Sequence, residues 1–322
     1  MPAIGRHISR LAGYAPALPT PFGKDGDIDV EAFEELCRRQ IRHGANALVV
    51  CGTTGEAPTL TPVEHTTLIQ SAVRAARGQV PVIAGAGSNS TSHAIELTKD
   101  AENAGADGIL SIVPYYNKPT QTGLYQHFYA IAQSTGLPII LYDVPSRTGC
   151  ALADETVARL AELPQIIGLK DATGDVTRPL RLRSLVGQNF RLLTGDDATA
   201  LAFIFQGGHG CISVTSNVAP GLCRIMYLAC RKGQIAAAQR WALTMAKLTA
   251  ALFRETSPSP LKYALNLLGL MSPSVRLPLV EVTDSTKAEV EAAMARLCED
   301  HADYVVEKMS EPGQRRVREI AS

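Results

Sequence analysis

No apolar run in the 322 residues approaches the roughly 20 needed to cross a bilayer as a helix. The chain also lacks net charge: 31 Lys+Arg balance 31 Asp+Glu. Electrostatics therefore gives no case for nucleic acid or an anionic membrane as a partner. There is no CxxC pair. Cys37, Cys51, Cys150, Cys211, Cys223, Cys230 and Cys298 are odd in number and widely spaced, which argues against a disulfide framework or a zinc site. Cys51 and Cys211 sit in apolar runs and read as buried thiols. A cytoplasmic protein fits this cysteine usage best. Met1 to Gly13 carries scattered basic residues without an apolar centre, so no secretory signal is expected there.

What is present is rhythm. The composition, 46% hydrophobic and 19% charged, suits a globular chain. Eight short apolar runs recur: Ala15–Pro19, Ala47–Cys51, Pro81–Ala84, Gly108–Val113, Pro138–Tyr142, Ile166–Lys170, Arg191–Thr194 and Cys211–Val214. They are continuous rather than alternating, as strands of a covered parallel sheet are. Between them helical periodicity is expected over Val30–His43, Pro62–Ala76, Thr91–Ala104, Gln121–Thr135, Ala153–Glu162 and Thr177–Leu185. Thr61, Pro62 and Glu64 supply a capping box, while Gly105 and Gly136 read as C-terminal caps. This alternation predicts an α/β protein, a (β/α)8 TIM barrel over 1–224, followed by a C-terminal helical region over 225–322. In that region Ala219–Leu268 and Lys287–Lys308 read as helical, with a break at Arg231-Lys232-Gly233. An open doubly wound sheet is the alternative, but Pro19-Thr20-Pro21-Phe22 after the first run cannot cradle a pyrophosphate as a glycine-rich turn does.

A barrel of this type works at the C-terminal ends of its strands. Lys170 closes the sixth run, where burial would favour a neutral amine able to form a Schiff base with a carbonyl substrate; a lysine pointing into water is the bland alternative. After the second run, Gly52-Thr53-Thr54-Gly55-Glu56 can present backbone amides to a carboxylate, although Thr54 alone could simply cap the next helix. Tyr142 could relay a proton or be a packed ring. Arg147 offers a fork for a second carboxylate or is a solvated loop residue. Tyr115 and Tyr116 read equally as core or interface aromatics, and Asp196 and Asp197 as helix caps. No His/Glu metal cluster occurs at these ends.

Taken in order, Gly52-Thr53-Thr54-Gly55-Glu56, Pro114-Tyr115-Tyr116, Tyr142-Asp143-Val144-Pro145-Ser146-Arg147-Thr148-Gly149, Gly168-Leu169-Lys170-Asp171 and Gly195-Asp196-Asp197 resemble the dihydrodipicolinate synthase / N-acetylneuraminate lyase family of class I aldolases. The resemblance covers about residues 12–298. It implies a covalent pyruvate Schiff base on Lys170 with no separate cofactor and no metal. It implies a proton relay of Thr53, Tyr142 and Tyr116, with Tyr116 reaching across a tight dimer interface. Thr53, Thr54, Arg147, Gly195 and Ile212 would bind substrate, Arg147 holding the carboxylate of L-aspartate-4-semialdehyde. Sugar-acid lyases of the family generally lack this arginine, so the semialdehyde is favoured over a sugar acid or aromatic aldehyde. A homotetramer, built as a dimer of dimers, is usual for such proteins.

Two departures bear on the site. Asp143 and Ser257 stand where Asn is usual, and Asp143 would place a charge near Tyr142. A lysine feedback site is only partly matched: His65, Asn89 and Tyr115 fit it, whereas Ala57, Pro62 and His93 replace the usual Ser, His and Glu. Loss of that glutamate removes a partner for an ammonium group, so weak or absent inhibition by lysine is expected. The residues from Glu299 on exceed the usual length, and charge-rich Glu307–Arg318 reads as a tail or an oligomer contact.

Overall fold

The computed structural model describes residues 11–305. The reading of the first residues as lacking a secretory signal falls largely outside that range, and that of Glu307–Arg318 wholly so.

Eight parallel strands form one sheet: β1 Gly13–Pro16, β2 Leu48–Val50, β3 Val82–Gly85, β4 Gly108–Ile112, β5 Ile139–Asp143, β6 Ile166–Asp171, β7 Arg191–Thr194 and β8 Gly210–Ser213. Their order is β1-β8-β7-β6-β5-β4-β3-β2. An Ala17↔Val49 bridge brings the two ends together, with the Leu18 N–H donating to the Val49 carbonyl at 2.9 Å. The sheet is thus a TIM barrel, and the eight apolar runs are its eight strands, their ends matching or shifted by up to three residues.

Successive side chains along a strand face opposite sides, and here the two sides make separate cores. Ala15, Ala17, Ala47, Val49, Ile83, Leu110, Ile140, Tyr142, Leu193 and Ile212 cluster together inside the barrel. Tyr14, Leu48, Val50, Val82, Ala84, Ile109, Leu141, Leu169, Leu192 and Cys211 face the surrounding helices. Both sides are apolar, which is why the runs show no alternation.

The helices lie between the strands as expected. Pro62–Ala76 starts with the full capping box, Thr61 and Glu64 each bonding the other's backbone. Gly105, at φ 91°, follows the Ala104 cap of Thr91–Asn103. Gly136 does not play that part: Gln121–Gln133 ends earlier, capped by Ser134, whose N–H donates to the Ile131 carbonyl. The stretch Ala219–Leu268 is broken twice rather than once. Pro220–Arg231 and Ile235–Leu252 are separated at Lys232–Gly233 as expected, but a second gap precedes Ser259–Leu267, where Pro258 and Pro260 cannot continue a helix from Leu252. Residue 225, the expected start of the C-terminal region, lies within Pro220–Arg231. A last helix spans Asp284–Val305.

Candidate active site

Register puts the two central residues side by side. β5 and β6 align Tyr142 with Lys170 and Asp143 with Asp171. Tyr142 belongs to the inner cluster, and Lys170, its register partner, is 5% exposed with Nζ 3.9 Å from the centre of the Tyr142 ring. The lysine is therefore buried against the tyrosine face and does not cap a strand end in water. Gly195 lies against it: a β-carbon there would stand 2.7 Å from Lys170 Cε and 3.1 Å from Ala172 Cβ. Its N–H donates to the Asp171 carbonyl at 2.6 Å, so the β7 loop is drawn onto the end of β6. Ile212 contributes to the apolar floor from β8.

The Thr53–Thr54 turn follows β2. Cys51 and Glu56 bracket it, both left-handed at φ 53° and 55°, a conformation uncommon outside glycine that marks a constrained turn. The Gly55 N–H donates to the Gly52 carbonyl, the Glu56 N–H to the Thr53 carbonyl, each at 3.1 Å, and Thr20 Oγ1 donates to the Gly55 carbonyl at 2.7 Å. Among the described residues neither the Thr53 nor the Thr54 N–H donates to another group of the chain. Two adjacent undonated amides in a fixed turn suit a carboxylate. The turn packs closely over β3: a β-carbon on Gly85 would meet the Cys51 carbonyl oxygen at 2.2 Å.

Other expected residues lie further out. Arg147 sits in a short helix, Pro145–Thr148, after β5; it is exposed, and its Nη2 donates to the Ser257 carbonyl at 3.5 Å. Tyr116 is 89% exposed at φ 72° and meets neither Lys170 nor Tyr142 within the chain. Tyr115 and Asn89 are half-buried, and the Asn89 carbonyl accepts from Asn117 Nδ2 at 2.9 Å. His65 is buried with Nε2 2.8 Å from the Gly85 carbonyl, and burial lowers its pKa. His93, three residues beyond its Ser90 cap, faces Glu96 at 3.3 Å.

Asp143 does not charge the surroundings of Tyr142 as expected. The side chains of neighbouring strand residues point apart, and the Asp143 carboxylate lies outside the barrel wall, 2.8 Å from Arg178 Nη1. Arg178 also reaches Asp171 at 3.4 Å and Asp154 at 2.9 Å and donates to the Leu152 carbonyl. Burial outweighs the arginine and raises the Asp143 pKa. Asp197 is likewise more than a helix cap. It accepts from Ser213 Oγ and from the N–H groups of Val214 and Thr215, tying the β7 loop to the end of β8; burial raises its pKa too.

Sequence reasoning overlooked Arg178, Lys262 and Arg276, and gave Glu56, quoted within the threonine turn, no role of its own. Glu56, Lys262 and Arg276 cluster behind the threonine turn, the first two buried and Arg276 half-buried. Their only signal was charge inside otherwise apolar or glycine-rich segments.

Comparison with known proteins agrees with this geometry. A model of the Dihydrodipicolinate synthetase family matches residues 10–297. The 4-hydroxy-tetrahydrodipicolinate synthase of Rhodospirillum centenum is 51% identical over 284 residues, 88% of this chain and 97% of that protein; that of Bradyrhizobium diazoefficiens is 48% identical over 286 residues, 89% and 96%. The chloride-inhibited dihydrodipicolinate synthase of Acinetobacter baumannii, solved with pyruvate, superposes with TM-score 0.87 at 43% identity, covering 89% of this chain and 98% of that one. Half the residues of whole relatives recur here, on the barrel that sets Lys170 beside Tyr142, and the chain belongs to the dihydrodipicolinate synthetase family.

Proposed function

We propose that the chain catalyses the 4-hydroxy-tetrahydrodipicolinate synthase reaction, condensing pyruvate with L-aspartate-4-semialdehyde in lysine and diaminopimelate biosynthesis. The observation that carries this reading is the buried Lys170 amine against Tyr142 at one register position, in a barrel whose second strand leads into a turn with two undonated amides. The amides of Thr53 and Thr54 receive the pyruvate carboxylate. Lys170 Nζ adds to the keto carbon, and the oxygen leaves as water to give the Schiff base. A methyl proton is lost and the resulting enamine attacks the aldehyde carbon, whose oxygen takes up a proton through Thr53, Tyr142 and Tyr116. The amine of the semialdehyde then adds to the Schiff-base carbon and expels Lys170 as the ring closes. Neither a metal nor a separate cofactor takes part. Arg147, without a carboxylate partner among the described residues, holds the carboxylate of the semialdehyde; this favours the semialdehyde over a polyol or aromatic aldehyde.

Tyr116, too exposed to serve its own barrel, acts in the site of a neighbouring copy within a tight dimer, two such dimers making a tetramer. The protein works in the cytoplasm, a reading supported by seven free thiols; no helix among the described residues is long and apolar enough to cross a membrane.

Borohydride trapping with pyruvate, read by peptide mass spectrometry, tests the chemistry. An adduct on Lys170 that is absent from Lys170→Ala is expected; folded protein without an adduct would refute the Schiff-base mechanism. Turnover with the semialdehyde but not with sugar-acid aldehydes then identifies the acceptor.

A further inference from the structure

The turn that carries Thr53 and Thr54 is gripped from the far end of the chain. Glu56 is 2% exposed and Lys262 fully buried, with Lys262 Nζ 2.5 Å from Glu56 Oε1. Glu56 Oε2 accepts the Arg276 N–H at 3.0 Å. Lys262 also donates to the Ser274 carbonyl at 2.7 Å and stands 4.1 Å from the centre of the Phe22 ring. The Arg276 guanidinium lies over the same ring at 4.3 Å, donates to the Thr59 carbonyl at 2.9 Å and pairs with Glu64, the capping-box residue of the helix that leaves the turn. Residues 262–276 therefore hold Glu56, Thr59 and Glu64 together.

As a source of stability this pair is an odd choice, because well-packed apolar groups of similar volume often do as well as a buried ion pair. What ions add is direction. Glu56 sits in left-handed backbone and gives its N–H to the Thr53 carbonyl, so the placement of its carboxylate constrains the plane of the peptides just before it.

We propose that Lys262 is a positioning residue for pyruvate recognition: through Glu56 it aims the Thr53 and Thr54 amides at the substrate carboxylate, so that the C-terminal helices set affinity for pyruvate. This rests on the functional reading above.

The test compares the parent with Lys262→Met and with the double variant Glu56→Gln/Lys262→Met, in which no buried charge of the pair is left alone should the single variant fail to fold. Circular dichroism establishes folding. Pyruvate half-saturation is read both from steady-state rates and from borohydride trapping. The expected result is a pyruvate half-saturation raised about tenfold in the double variant, the scale on which misplacing a binding group acts, with kcat within about twofold and the semialdehyde KM unchanged. A folded double variant whose pyruvate half-saturation stays within about twofold of the parent overturns the proposal, as does a fall in kcat with half-saturation unchanged. A parent that pyruvate does not label overturns the functional reading, and this proposal with it; a labelled parent with an unchanged variant overturns the positioning role alone.

Discussion

Position 195 leaves no space for a side chain beside Lys170. Gly195→Ala forces the lysine stem or the β7 loop to move, and displacements of this order at a reacting group cost roughly ten- to a hundredfold. We expect kcat/KM for pyruvate to fall by that amount while the thermal midpoint drops by only a few degrees, measured by steady-state kinetics and calorimetry. Feedback is also argued residue by residue. His65 is occupied by the Gly85 carbonyl, and Ala57, Pro62 and His93 offer an ammonium ligand no carboxylate. Titrating L-lysine into the assay should give little inhibition; half-inhibition far below cellular lysine would contradict this.

Strands β5 and β6 are clamped on their outer side, and the clamp fixes the pair on their inner side. Arg178 faces two carboxylates on adjacent strands, and removing it leaves both buried without their cation. Arg178→Met should cost about 3–5 kcal/mol in denaturant unfolding, whereas Asp143→Asn keeps an acceptor and removes one of two crowded charges, so it should change stability by about 1 kcal/mol or less. At this scale the sequence was readable where apolar periodicity decides. The strands, most helices and the Thr61 capping box lie where expected, because each depends on neighbours within a few positions. The second break before Ser259 was visible in its prolines but was outweighed by the long apolar pattern around it. The sidedness of Asp143 also follows from strand alternation, once the inner face is known. Its partner Arg178 did not follow, because nothing local ties residue 143 to residue 178.

For the whole molecule, three groups make acid the weak side, opposed by Asp143 and Asp197, whose raised pKa values favour the folded state as pH falls. Burial lowers His127 and His209 to about 4, and the Arg276 guanidinium holds Glu64 down to about 2. In each case the unfolded chain binds the proton at higher pH than the folded one. Stability is therefore lost as pH falls from about 6.5 towards 4 for the histidines, and from about 4.5 towards 2 for Glu64. Calorimetry between pH 7 and 4 should show a steadily falling midpoint. Assembly has its own test. If Tyr116 serves a neighbouring copy, refolding inactive Lys170→Ala together with Tyr116→Phe should recover roughly a quarter of parental activity, since half the dimers then carry one complete site; no recovery would place Tyr116 elsewhere. The Lys170–Tyr142 pair could be foreseen because both residues close strands of one sheet. The brace behind Thr53 could not, since Glu56 and Arg276 lie 220 positions apart and no pattern within either segment mentions the other.

That separation matters during synthesis on the ribosome. A chain that has emerged as far as Ser213 already holds all eight strands, Lys170, Tyr142 and the threonine turn. Glu56 nevertheless waits for a lysine still to be translated, and until Lys262 and Arg276 arrive its carboxylate has no cation to settle against. A stalled or truncated product ending before Lys262 should thus contain every strand-borne reactive group and yet leave the pyruvate-binding turn unset. Vectorial folding places the finishing of the site in the hands of residues made after the whole barrel.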